Sequence, residues 1–181
     1  YTLKNRIMNT GHAAHFQTGA GVPIDRYVDY VRERAKGGVG IIVTGLTVTH
    51  YDGEATSSLV NCDESIIDAY SKFAEATHAY DVPMLAQLSH RGRRPTAGAA
   101  FLQAPIVAAS AVPAPDFSSP QMMPHAMTTA EVEEIVESFS EAAERVKRSG
   151  MDGVELAVGG DLLFANFLNE QSNLREDKYG G

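Results

Sequence analysis

Strand-like and helix-like runs of apolar residues alternate along this chain. Val39-Gly40-Ile41-Ile42-Val43-Thr44-Gly45 and Met84-Leu85-Ala86-Gln87-Leu88 are apolar with little alternation, the pattern of strands covered on both faces in a parallel sheet. Ile7-Met8-Asn9-Thr10 is a shorter buried-strand candidate, and Gly153 to Val158 a fourth. Between them the period becomes helical. Ile24, Tyr27, Val28, Val31 and Ala35 share one helix face, opened by Pro23 and ended by Gly37-Gly38. Ile66, Ile67, Tyr70, Phe73 and Ala74 form a second face, with Asp63 as N-cap. In the third helix Thr128 and Glu131 make a capping box, and Val132, Ile135, Val136, Phe139, Ala143 and Val146 make the apolar face. Arg145, Lys147 and Arg148 suit its carboxyl end, and Gly150 closes it.

Strand–helix alternation with short links predicts right-handed parallel βαβ units and an α/β fold. A barrel and a three-layer open sheet both meet that pattern. The exception to the short links is an Ala-, Pro- and Ser-rich segment from Ser89 to Met127, a length that usually carries function.

Composition narrows the function classes. The 181 residues are 44% hydrophobic and 21% charged, enough for one sizeable core and too apolar for disorder. A net charge of −8 argues against a nucleic-acid partner, which needs clustered Lys and Arg. The dense basic cluster Arg91, Arg93 and Arg94 suits a small phosphate or carboxylate, or a solvated loop. A single cysteine, Cys62, excludes an internal disulfide or a multi-cysteine metal site in this stretch and fits a reducing compartment. No apolar run reaches the ~20 residues that span a bilayer, and Tyr1 to Arg6 lack the apolar centre of a secretory signal. These features predict a cytoplasmic protein with no membrane partner. His12-x-x-His15 offers two imidazoles in a Gly-rich loop with no third ligand nearby, so no metal site is expected.

Four motifs lie in order along the chain: Leu3-Lys4-Asn5-Arg6-Ile7, Arg34-Ala35-Lys36-Gly37-Gly38-Val39-Gly40, Gln87-Leu88-Ser89-His90-Arg91-Gly92-Arg93, and Asn173-Leu174-Arg175-Glu176-Asp177-Lys178-Tyr179-Gly180-Gly181. Together they resemble the amino-terminal region of the old yellow enzyme family of FMN-dependent oxidoreductases (NADH:flavin oxidoreductase / NADH oxidase). The family's fold is a (β/α)8 TIM barrel, and its last motif falls mid-barrel. The resemblance therefore implies that residues 1–181 are the amino-terminal half of one FMN-binding barrel domain, with four parallel strands and three helices.

The resemblance also implies site residues at the carboxyl ends of the strands. Asn9, Thr10 and Gly11 take the place of the flavin contacts after the first strand, without the family's usual Pro-Met pair. Gly45 ends the second strand, where a small residue lets a planar ring approach the backbone, though a plain turn glycine also fits. Gln87 presents a donor and an acceptor together, suiting the flavin pyrimidine edge. His90 and Arg93 read as loop-fixing residues.

The fourth strand end departs from the family. Its V-E-I-H-x-x-H-G-Y-L holds a substrate oxygen with two side chains and donates a proton from Tyr; here those positions are Ala157, Gly160 and Leu162. The catalytic residue is unknown on this reading, with Asp161 the one ionisable candidate in the loop, or else a helix-cap carboxylate. Loss of the trio leans toward the dienoyl-CoA reductase, amine dehydrogenase and N-demethylase branch. Longer members of that branch add an iron–sulfur cluster and FAD, which an extension past Gly181 would bring. Expected partners are NADH or NADPH and a small-molecule substrate, with a homo-oligomer one expected state. The alternative function is a non-catalytic barrel fragment or binding module with a decayed cofactor site.

Overall fold

The computed structural model describes residues 2–51, 58–94, 106–115 and 122–181. Four parallel strands form the main sheet: β1 (Met8–Asn9), β2 (Ile41–Val48), β4 (Met84–Ser89) and β7 (Gly153–Leu156), in the order β1-β2-β4-β7. A two-residue strand β3 (Leu59–Val60) also pairs with β2, and β5 (Val107–Ala108) pairs with β6 (His125–Ala126) as a separate parallel ladder. The helices are α1 (Asp25–Lys36), α2 (Ile66–His78), α3 (Thr129–Arg148) and a short α4 (Leu163–Leu168). The long segment from Ser89 to Met127 is described at 89–94, 106–115 and 122–127 alone, where its ordered part supplies the β5–β6 ladder.

The core lies between the sheet and the first three helices. Tyr27, Val31, Tyr70, Phe73, Ala142 and Val146 bury against Ile42, Met84, Ala86 and Leu88. Side chains alternate across a strand, so Leu85, Gln87 and Ser89 of β4 belong to the opposite face. The Thr128–Glu131 capping box forms as the sequence predicts. Hydrogen bonds from Thr128 lower the Glu131 carboxyl to about 2. Arg145 serves more than the helix end. It is buried and donates from Nε to Asn61 Oδ1 at 2.8 Å and from Nη2 to Asn61 O at 2.9 Å, tying α3 to the end of β3.

Several local readings shift. Helix α1 begins at Asp25 with Ile24 as N-cap, so Pro23 precedes the helix. Asp63 accepts from the Ser65 amide at 2.8 Å in the turn leading into α2. Val136 is 57% exposed, on the margin of the α3 stripe. Ile7 and Met8 are exposed, as are Val154, Leu156 and Val158, so the first and fourth strands are not buried on both faces. Among the described residues no strand pairs with the far side of β1 or β7, the two ends of the β1-β2-β4-β7 order.

Candidate functional site

Gly11, two residues past the end of β1, packs against Thr44 and Gln87 inside β2 and β4; both strands run on, to Val48 and Ser89, so Gly45 does not end the second strand. A Cβ built on Gly11 would stand 2.6 Å from the Thr44 carbonyl oxygen and 2.7 Å from Gln87 Oε1, so no side chain fits between them. A register shift in β2 between Val43 and Leu46 places Thr44 and Gly45 in an irregularity, which re-aims both residues. Thr44 Oγ1 accepts from the Gln87 amide at 3.0 Å, and the Gly45 amide donates to the Tyr27 hydroxyl at 3.0 Å. Burial raises the Tyr27 phenol above its ordinary range.

Gln87 sits between Leu46 of β2 and Glu155 of β7 in register. Its Nε2 donates to Glu155 Oε1 at 2.5 Å. An in-strand carboxamide that would otherwise be a costly orphan therefore has one end satisfied. Its Oε1 faces Gly11 and has no hydrogen bond among the described residues.

The other predicted residues fall in different places. Asn9 pairs in register with Ile42, itself opposite Met84, so its side chain belongs to the helix-facing layer; its Oδ1 is buried with no hydrogen-bond partner among the described residues. Thr10 is exposed, and its carbonyl accepts from His12 Nδ1 at 3.1 Å. His12 Nε2 meets the Tyr30 hydroxyl at 2.5 Å, clamping the loop after β1. That loop fills the space beside Gly45, where a Cβ would lie 2.4 Å from the His12 carbonyl oxygen. The close approach that Gly45 permits is thus by backbone.

At the fourth strand end Ala157 and Leu162 are buried, and Gly160 and Asp161 both have positive φ, +68° and +62°. None of Ala157, Gly160 and Leu162 carries a side-chain hydrogen-bond donor. Asp161 Oδ1 accepts from Arg93 Nη2 at 2.7 Å and from Asn166 Nδ2 at 3.2 Å, so its carboxylate braces the loop. Arg93 also donates to the carbonyls of Val112 and Pro113. The three arginines do not gather into an anion site. Arg94 Nη1 reaches the Gly160 carbonyl at 3.0 Å, and half-buried Arg91 reaches Ser58 Oγ at 3.5 Å. His90 is fully buried with Nδ1 accepting from the Gly92 amide at 3.1 Å; burial, helped by nearby His50, pushes its imidazole down to about 3.

The terminal motif is a latch. Arg175 Nε donates to Asp177 Oδ1 at 2.8 Å and its Nη1 to the carbonyls of Ala109 and Met127, while Asp177 accepts from Thr129 Oγ1 at 2.6 Å. The ion pair holds the Asp177 carboxyl far below its ordinary range. Asn173 Nδ2 binds the carbonyls of Phe167 and Tyr179, and a Cβ on Gly180 would collide with the Arg175 carbonyl at 2.1 Å. The motif joins the β5–β6 ladder to the start of α3, and the hydrogen bonds that join them among the described residues go to Ala109, Met127 and Thr129 rather than to the Gln87 cluster. Glu155 is the site residue that sequence reasoning missed; the one signal available was an acid inside a strand-like run. Among the described residues no group of three His, Cys, Asp or Glu could hold a metal, and no helix is long and apolar enough to cross a membrane.

Comparison with known proteins matches residues 1–181 to the NADH:flavin oxidoreductase / NADH oxidase family. The N,N-dimethylglycine/sarcosine dehydrogenase of Chromohalobacter salexigens is 33% identical over 99% of this chain and 26% of its own length. The NADH oxidase of Thermoanaerobacter brockii is 34% identical over 99% of this chain and 27% of its own. The solved old yellow enzyme homologue from Zymomonas mobilis superposes with a TM-score of 0.89 at 26% identity, covering 100% of this chain and 52% of that one. The chain thus spans about a quarter of the length of these curated relatives and about half of the solved homologue. Its sheet corresponds to the first half of a (β/α)8 barrel.

Proposed function

Because the chain belongs to the NADH:flavin oxidoreductase / NADH oxidase family, we propose that it is the amino-terminal half of an FMN-dependent oxidoreductase whose substrate side lacks the usual anchors for an oxygen. The observation that carries this reading is the convergence of Gly11, Thr44 and Gln87 on one point, just past the carboxyl end of β1 and against β2 and β4. Reactive groups gather at that end in barrels.

The residues present fit the cofactor. Gly11 lets Thr44 and Gln87 approach the backbone after β1, and Gln87 Oε1 offers an unused acceptor to a ring N–H. Gln87 and the backbone of Thr10 and Gly11 would hold the pyrimidine side. Phosphate contacts in such barrels come from late βα loops. Bound FMN supplies the two-electron chemistry, and the protein contributes orientation and electrostatics.

The fourth strand end selects among substrates. Ala157 and Leu162 are apolar and buried, and Asp161 is held by Arg93 and Asn166. A carbonyl or nitro oxygen that gains charge would find no side-chain donor at these positions. Oxidation of an amine needs no such donor, and one relative is named for dimethylglycine and sarcosine. We therefore favour an amine as reductant of the flavin, with NADH or NADPH as the other candidate reductant.

Stopped-flow spectroscopy of the full-length protein tests this. Tertiary or secondary N-methyl amines should bleach the flavin, and a small enone should reoxidise it slowly or not at all. Rapid enone reoxidation without amine reduction would overturn the substrate reading.

A further inference from the structure

We propose that Glu155 is a positioning residue that sets which end of the Gln87 carboxamide meets the flavin. The inference rests on the FMN reading above and goes beyond it to the sense of one hydrogen bond. A carboxamide can donate or accept at a ring edge, and the two orientations are nearly isosteric. In this structure Gln87 Nε2 is committed to Glu155 Oε1 at 2.5 Å. Register makes the pairing direct, since Gln87 lies opposite Glu155 in the β4–β7 ladder and both side chains share the face away from the helices.

The remaining end, Oε1, lies against Gly11. The Gln87 side chain thereby turns its oxygen toward the site, where it would accept from a flavin N–H, while one of the two N–H donors of its nitrogen is spent on Glu155. The backbone is fixed as well: the Gln87 amide donates to Thr44 Oγ1 at 3.0 Å. Nothing else among the described residues bonds to the Gln87 side chain, so the carboxylate alone sets its orientation.

Two full-length variants and one probe test this. Glu155→Ala should weaken FMN binding about tenfold, the scale of one misplaced buried hydrogen bond, and should add no further loss in a Gln87→Leu background. The double exchange Gln87→Glu with Glu155→Gln keeps volume and reverses the pair while leaving an acceptor at Gly11. It should hold FMN within about threefold of the parent, on the same scale. With 15N-labelled FMN, the N3 resonance should move in the same direction in Glu155→Ala and Gln87→Leu, and stay near the parent position in the exchanged protein.

Parental affinity in Glu155→Ala, an equal loss with and without Gln87, or loss of FMN from a folded exchanged protein would each overturn the proposal. The exchange keeps the test alive if Glu155→Ala does not fold. A parent protein that takes up no FMN would sink the FMN reading and this inference together. A yellow parent with indifferent variants would sink the inference alone.

Discussion

Replacing Gln87 by Leu is the sharpest perturbation of the cofactor site. The substitution keeps the bulk of the side chain and removes one hydrogen bond and one unused acceptor. One is the Nε2 donation to Glu155 at 2.5 Å; the other is the free Oε1 beside Gly11. The first loss falls on apoprotein and holoprotein alike and so bears mainly on stability. The second removes an acceptor from a ring N–H that has been drawn out of water, which costs about 1–3 kcal/mol. FMN affinity should therefore fall by about 5- to 150-fold. Fluorescence-quenching titration of the full-length protein measures the affinity, and the visible spectrum reports the flavin environment. Unchanged affinity together with an unchanged spectrum would remove Gln87 from the site and refute the reasoning.

Other outcomes follow from the same structure. The isolated segment 1–181 should be aggregated, dimeric or molten, because β1 and β7 lack outer partners and an apolar groove of about 430 Å³ lies open beside α3 and α4; a monodisperse monomer with a cooperative melt would contradict this. His90 has its pKa depressed to about 3 from 6.5, so the unfolded chain binds the proton first as pH falls. Stability should then decline as pH falls from about 6.5 toward 3, by several kcal/mol in order of magnitude from this group. His90→Asn, which keeps an acceptor for the Gly92 amide, should flatten that part of a denaturation-versus-pH curve for the full-length protein. Installing Ala157→His, Gly160→His and Leu162→Tyr together should raise enone reduction, since each aimed donor is worth about 2.7–4 kcal/mol. Steady-state assays with a small enone check it, and no gain in a folded, FMN-loaded triple variant would show that the loop does not keep the family geometry.

What the sequence reveals depends on how local the cause is. The α3 capping box is a four-residue pattern, and the apolar faces of α1 and α2 recur within single helices, so these were legible. Strands β3, β5 and β6 have two residues each, too few to show a period. The exposure of Val154 and Leu156 was hidden because an apolar strand reads the same whether or not its outer face is covered. Site residues divide the same way. Gln87 stands out as a polar residue in an apolar strand, whereas the partnership of Gln87 with Glu155, or of Arg93 with Asp161, joins groups 68 positions apart and depends on strand register. Asn9 belongs to the helix-facing side because of its pairing with Ile42, a relation that no local pattern announces.

The central claim is that the cluster of Gly11, Thr44 and Gln87 holds FMN, and the absorption spectrum of the purified full-length protein tests it most directly. A flavin band that survives desalting, with FMN identified by mass after heat release, is the predicted result. A protein that is colourless as purified and stays colourless after incubation with FMN would contradict the account and favour a barrel whose cofactor site has decayed.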